Sequence, residues 1–279
     1  MKRFYSILII LTFTAVKLWA GNNEIKTQHI SFSCSIDGKN YRLEAMLYFP
    51  SDSGNQHSLI IMTHGRNGPN PPIDKREVFR YRPLCEALAN KGFVVMMLVR
   101  RGYGNSEGPD CEYLETAEES GLAGAQDVKA AADYMSTAPY ASNGRVVVIG
   151  QSQGGWVALA ASTLGIKGVL GTVNVSGATN FRRASGFSIR SSMVEDQLDN
   201  SAAAYGKSSK VPTLWIYAEN DNHLPATVKR WFDSYKQGGG RGELVIKPAY
   251  GDNGHKIVGE PDLYIDDILN FFKEIGFSK

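Results

Sequence analysis

A serine sits between two glycines in "GQSQG", Gly150 to Gly154, and the flanking residues differ in character. The run "VVVI" before it is β-branched and apolar, whereas "WVALAAS" after it is Ala-rich and helix-favouring. Ser152 therefore lies where a buried strand becomes a helix, with Gly150 and Gly154 letting strand and helix close without side-chain clash. Such a turn holds the hydroxyl exposed on a strained backbone. The amide of Gln153 then lies on the hydroxyl's side, at a helix N-terminus whose partial positive charge favours an oxyanion. The chemistry this spacing suits is attack on a carbonyl carbon. A chemically idle glycine-rich turn has the same letters, so the reading depends on finding partners.

Serine is a weak nucleophile at neutral pH and needs a base, which in turn needs an orienting acid. The histidines are His29, His57, His64, His223 and His255. His29 and His57 precede the sheet core and are expected at the surface. His255 lies in the glycine-bounded loop "YGDNGHKI", directly after the last strand and on the serine's side, which makes it the expected base. For the acid, "TLWIYAENDNHLP" puts Asp221 just beyond a strand end, far enough out to turn towards a histidine. Glu219 and Asp252 remain contenders, and His223 is expected at the rim.

These residues need a scaffold, and the chain alternates strand-like and helix-like segments. "THISFSCSI" and "YRLEAMLYF" alternate with period two around "DGKN", which predicts an opening antiparallel hairpin. "SLIIMTHG", "FVVMMLV", "RVVVIG", "GVLGTVNVSG", "TLWIYA" and "GELVIKP" read as strands, most of them uniformly apolar. Between them lie helical segments; Leu122, Ala125, Val128, Ala132 and Met135, for example, recur at spacings of three and four. Uniformly apolar strands separated by helices predict an α/β fold: a mostly parallel sheet with an antiparallel N-terminal edge hairpin and helices on both faces. A polar segment, residues 180–210, interrupts this rhythm before the acid-bearing strand and is expected to form a small lid or flap.

The ends and the charge bound the function further. Lys2 and Arg3 precede an apolar run from Phe4 to Val16, then "KLWA" leads into polar sequence, so residues 1–20 read as a secretory signal and 21–279 as the domain. The chain is thus expected to be exported, periplasmic or secreted, without stable membrane insertion after cleavage. Cleavage removes three basic residues from 30 and none of the 28 acidic ones, moving the net charge from +2 to −1. With no basic stripe, a nucleic-acid partner is excluded. "RR" at Arg100-Arg101 and Arg182-Arg183 is weak evidence for an anionic partner, and the second pair reads as solvated surface. The three cysteines lack metal-ligand spacing, so no metal is expected. Cys85 and Cys111 flank neighbouring loops at one edge of the sheet and are expected to form a disulfide; three free thiols are the alternative.

The order Ser152, Asp221, His255 together with "THGRNG", "RRGYGNSEG", "GQSQGG", "AENDNHLP" and "GH" resembles the α/β-hydrolase superfamily, in its dienelactone-hydrolase-like and prolyl-oligopeptidase-like branch. The resemblance covers the whole domain. It implies an α/β-hydrolase fold and a serine hydrolase that needs no cofactor, with the amide of Arg66 as second oxyanion donor beside that of Gln153. Dienelactone hydrolases proper use cysteine where this chain has Ser152, so the resemblance implies a serine esterase acting on a small-molecule ester. No propeller-like segment precedes the domain, which disfavours an oligopeptidase-type filter. A serine peptidase or amidase is the alternative activity, and a binding protein that retains the hydrolase fold is the non-enzymatic one.

Overall fold

The computed structural model describes residues 25–51, 57–66, 81–110, 114–179 and 191–279. The leader at 1–20, Cys111, Arg182-Arg183 and the 180–190 part of the polar insertion lie outside the described residues. Strands β1 (Lys26–Ile36) and β2 (Lys39–Phe49) form the opening hairpin, with Ile36 opposite Lys39. The two turn residues, Asp37 and Gly38, both take positive φ, the conformation whose twist matches paired strands. Then follow β3 (His57–Thr63), β4 (Val94–Val99), β5 (Ala141–Gln151), β6 (Val169–Val175), β7 (Thr213–Ala218) and β8 (Gly242–Lys247).

One eight-stranded sheet results, in the order β1-β2-β4-β3-β5-β6-β7-β8. β2 meets both β1 and β4 antiparallel, and the pairings from β4 to β8 are parallel. Every residue of β3, β4 and β7 is buried, as expected of strands covered on both faces. The strand order reverses about β3: the chain leaves it to reach β4 on one side and later enters β5 on the other. A crevice at the C-terminal ends of β3 and β5 is where such a sheet places its ligand site.

Helices α1 (Arg82–Asn90) and α6 (Ile265–Glu274) cover one face, packing Leu84, Leu88, Ile268, Phe271 and Phe272 against Ile60, Met62, Val147 and Ile149. Helices α2 (Ala117–Met135), α3 (Gln153–Ala161), α4 (Ser191–Ser208) and α5 (Pro225–Gln237) cover the other. The Thr116 side chain caps α2 by accepting from Glu119 N, and Pro83 and Pro225 stand at the starts of α1 and α5, where a missing N–H costs little. Helix α3 is buried on all sides, which its apolar, Ala-rich composition permits.

Three expectations are corrected. The segment expected as a lid carries the full-length helix α4, which belongs to the helical layer. Leu198 and Ala202 are fully buried, Trp156 Nε1 donates to Ser201 Oγ at 3.1 Å, and Tyr205 OH donates to Glu118 O at 2.8 Å. Gly121 makes room for that hydroxyl, since a methyl there would overlap it. The polar residues of α4 misled because its core-facing side uses small residues beside few large ones. The Cys85–Cys111 bridge is also not formed: Cys85 is a free, fully buried cysteine, because its position in α1 turns it into the apolar layer with Tyr48 and Tyr264 rather than towards a loop. Burial pushes its thiol pKa up, so it stays protonated and unreactive. His57, expected at the surface, is buried at the start of β3, its Nδ1 2.9 Å from Gly92 O, whereas His29 is exposed and pairs with Glu44.

Burial of Leu198 gives α4 a measurable signature. Leu198→Ala should lower unfolding stability by about 2–5 kcal/mol, read from urea unfolding. A loss below about 0.5 kcal/mol would return the segment to a peripheral flap.

Candidate active site

Ser152 follows β5 immediately and takes φ 55°, ψ −124°, a conformation side chains rarely adopt. Holding a serine there costs about 1–3 kcal/mol, which the surrounding packing must offset. The glycines are sterically required: a methyl on Gly150 would overlap Gly154 O, and one on Gly154 would overlap the backbone carbonyls of Thr63 and His64. The strained turn is tied down by Ser152 N donating to Val175 O at 3.0 Å and by Ser152 O accepting from Gly155 N and Ala178 N.

The hydroxyl faces a histidine. His255 Nε2 lies 3.0 Å from Ser152 Oγ, and His255 Nδ1 lies 3.2 Å from Asp221 Oδ1. Of the three candidate acids, only Asp221 is buried and turned towards the base. Glu219 is exposed beyond β7, and Asp252 is exposed and pairs with Lys256. Burial pushes the Asp221 carboxyl up, but hydrogen bonding and charge from His255, the Ser176 hydroxyl and the His223 N–H outweigh it and hold the pKa below the usual carboxylate value. Asp221 is therefore ionised at neutral pH, and its carboxylate favours the His255 tautomer with the proton on Nδ1. Nε2 is then left to accept from the serine.

The loops that carry Asp221 and His255 are locked together. Asn220 Oδ1 accepts from Tyr250 N at 2.8 Å, its Nδ2 donates to Gly251 O at 3.1 Å, and Gly254 N donates to Asn220 O at 3.0 Å. Asn253 accepts from His255 N at 2.9 Å, and Gln151 Nε2 reaches across to donate to His255 O at 3.2 Å. His223 is half-buried at the edge of this group, with its ring edge-on to Trp231 at 5.0 Å.

Around the hydroxyl, two backbone segments converge. Gln153 opens α3, where first-turn N–H groups point out of the helix end. Gly65, between β3 and Arg66, packs so closely on the serine that a methyl on it would lie 2.9 Å from Ser152 Cβ. Its amide donates to Tyr81 OH at 2.7 Å, and Tyr81 OH donates to Gln151 Oε1 at 2.9 Å. Arg66, half-buried, is the next residue towards the site. Among the described residues, no group of three or more His, Cys, Asp or Glu side chains converges to hold a metal ion.

The family model of the dienelactone hydrolase family matches residues 43–246, from β2 through β8. The chain belongs to the dienelactone hydrolase family. This dienelactone hydrolase family member has the α/β-hydrolase fold, and its solved structural neighbours share it. The Pyrococcus furiosus esterase Pf2001 superposes with a TM-score of 0.62 at 19% identity, over 88% of this chain and 92% of that one. Est1E from Butyrivibrio proteoclasticus gives 0.56 at 15% identity, over 88% and 98%. The Pyrococcus horikoshii acylaminoacyl peptidase gives 0.60 at 20% identity, over 89% of this chain but 41% of that longer one. No curated protein sequence matches the chain.

Two features of this family member escaped the sequence reading. Arg100 and Arg101, read as weak evidence for an anionic partner, are both buried. Arg101 Nε pairs with Asp127 Oδ1 at 2.5 Å. Arg100 donates to Thr63 Oγ1 at 2.7 Å, to His64 O and to Gln153 Oε1, bracing the residue after the serine from below. His64 accepts from Arg100 N at 3.0 Å through Nε2, and burial together with Arg100's charge lowers its pKa well below normal, so it stays neutral. The available signal was position, since both arginines directly follow a fully apolar strand. The second feature is Ser176, fully buried just after β6 with φ 52°, whose hydroxyl is among the groups that hold the Asp221 pKa down. "GVLGTVNVSG" reads as a strand and carries no such signal.

Ser176 yields a pH-dependent prediction. A carboxyl whose folded pKa is depressed contributes stability that is present above its unfolded value and lost as pH falls through the folded one. Ser176→Ala raises the folded value towards the unfolded one and should cost about 1 kcal/mol at neutral pH. That cost should shrink towards zero as the pH falls through the folded pKa, below which the carboxyl is protonated in both states. Urea unfolding across this range checks it, and a cost independent of pH would show that the hydroxyl only fills space.

Proposed function

We propose that this chain hydrolyses carboxylic esters of small molecules through Ser152, His255 and Asp221. The observation that carries the reading is the 3.0 Å contact from His255 Nε2 to the hydroxyl of a serine strained at a glycine-bounded turn. Ser152 Oγ attacks the ester carbonyl carbon while its proton passes to His255 Nε2, and the carbonyl π electrons move onto oxygen. The amides of Gln153 and Arg66 stabilise that oxyanion. Collapse breaks the bond to the alkoxy oxygen, which takes the proton from His255 and leaves as alcohol. Water then attacks the acyl-enzyme carbonyl, with His255 as base, and releases the acid and the regenerated serine. Asp221 holds the imidazole and stabilises its charged form throughout. Export rests on Lys2, Arg3 and the apolar run that follows them, and remains part of this proposal.

The direct test is a fluorophosphonate probe: Ser152 in folded protein should be labelled, and an unlabelled serine would support a binding protein of hydrolase fold instead. Ser152→Ala and His255→Ala should each lower kcat by roughly 10⁴-fold or more with unfolding stability retained, because these residues act as a unit. Asp221→Asn should cost less. A larger loss from Glu219→Gln would move the acid role.

Substrate size follows from the helical layer. Helix α4 commits Leu198, Ala202 and Tyr205 to the core, and among the described residues Leu224 is the large exposed apolar side chain beside the acid loop. A long acyl chain would leave methylenes in water at about 0.8 kcal/mol each. Efficiency on aryl esters should therefore peak between acetyl and butyryl and fall steeply by about twelve carbons, the length at which roughly 0.8 kcal/mol per unburied methylene becomes prohibitive. A rise continuing past ten carbons, or activation by emulsified lipid, would overturn this. Aminoacyl amides assayed beside the esters separate an esterase from a peptidase.

A further inference from the structure

The two edges of the sheet are finished differently. At the β1 edge, Lys26, Thr27, Gln28 and His29 are exposed, and Phe32 is stacked on Tyr134 of α2 at 4.6 Å. At the β8 edge, Leu244 is half-buried and Ile246 is 36% exposed. Together with Pro225 and Phe232 of α5 they line a groove of ≈ 440 Å³, beside the Lys229–Asp233 ion pair. Exposed edge strands with apolar side chains pair with other chains unless charge, proline or a covering element prevents it.

The backbone of β8 fixes how a strand could add. Arg241 O accepts from Thr213 N and Lys247 O accepts from Glu219 N, both at 2.9 Å, so the odd-numbered residues turn their backbone groups to β7. Gly242, Leu244 and Ile246 consequently turn theirs outward. We propose that the β8 edge is the interface of a two-fold homodimer, in which β8 pairs antiparallel with β8 of a second copy about an axis through Val245.

In that register Leu244 lies opposite Ile246 of the second copy, and each pair exchanges two N–H···O bonds. Gly242 N–H reaches Pro248 O, and Pro248, lacking an N–H, ends the ladder. Glu243 lies opposite Lys247, an exposed acid against a base that already holds Asp267 at 2.8 Å. Shifting the axis to Leu244 puts Arg241 against Lys247, like charge on like, and shifting it to Ile246 sets Leu244 against Pro248. The Val245 register alone among these pairs opposite charges and matches apolar side chains on the α5 face. An isologous interface requires such self-complementarity, with each residue finding its match in the same segment. The eight-stranded sheet then continues unbroken into its copy.

Sedimentation equilibrium of the purified chain tests this, with hydrogen exchange as a second readout. The expected result is a dimer whose dissociation constant rises at least tenfold in Glu243→Lys and in Ile246→Asp, while Leu263→Asp, at an exposed position outside β8 and α5, leaves it unchanged. The amides of Leu244 and Ile246 should exchange slowly at concentrations where the dimer forms and quickly in both interface variants, whose circular dichroism should match the parent. A chain still monomeric at about 100 µM overturns the proposal. So does a dimer indifferent to both substitutions, or rapid exchange of the two amides within a dimer, since either places the interface elsewhere.

Discussion

The structure turns on one backbone constraint, the left-handed φ at Ser152 between a buried strand and a buried helix. For α3 to begin within one residue of β5, strand and helix must approach to a distance that excludes a Cβ at Gly150 and at Gly154. Gly155 meets the same limit against the Asn174 side chain, and Gly177 meets it from the other side of that amide. The tight approach explains why α3 is apolar on every side. A helix so close to the sheet, with α2 against it and its Trp156 packed on Ser201 and Tyr205 of α4, has no face left for water. Strain at the serine is thus stored by packing that also determines the composition of the helix following it.

Charge is arranged to serve the same turn. Burying a guanidinium is costly unless it is hydrogen-bonded, and Arg100 places its Nη1 and Nη2 groups on Thr63, His64 and Gln153, at the end of β3 and the start of α3, which must stay in register for the serine to be presented. Its neighbour Arg101 joins Asp127 of α2 to the loop after β4, while Glu44 gathers Asn105 N and Nδ2, both at 2.9 Å, to bind that loop to β2. Each of these polar contacts crosses between elements distant in sequence. None touches the triad-like group directly, yet together they hold the crevice floor against which Gln153 and Tyr103 are set, the Tyr103 ring lying edge-on to His64 at 4.7 Å.

What the sequence revealed and what it hid follow from the range of the forces involved. Period-two alternation in β1 and β2 and unbroken apolar runs in β3 and β4 are local consequences of burial, so the strands could be read directly. Gly150, Ser152 and Gly154 were legible because a steric constraint within five residues leaves a fixed spacing. His255 and Asp221 were legible by position, each following a strand end on one side of the sheet. The misreadings came where a long-range partner decides the outcome. Arg100 and Arg101 look like weak evidence for an anionic partner until Thr63 and Asp127 are brought to them, and Ser176 looks like the end of a strand until β7 delivers Asp221. Helix α4 looked like a lid because its apolar members are few; the space they fill is set by Trp156 and Tyr205 against Gly121, none of which a local pattern reports.

The edge strand β8 connects these levels. β7 and β8 are the strands after which Asp221 and His255 are presented, and the Asn220 clamp ties the two loops at a fixed separation. Among the described residues, the backbone support of β8 is β7, in a parallel ladder whose hydrogen bonds all lie on one side. Its side chains are only partly covered by α5 and α6, mainly through Leu244 and through Lys247 on Asp267. The strand that leads to His255 is therefore the least enclosed of the parallel strands. A second antiparallel ladder on its outer side would supply the missing half of that support, and would do so eight residues before His255, without any contact with the serine itself.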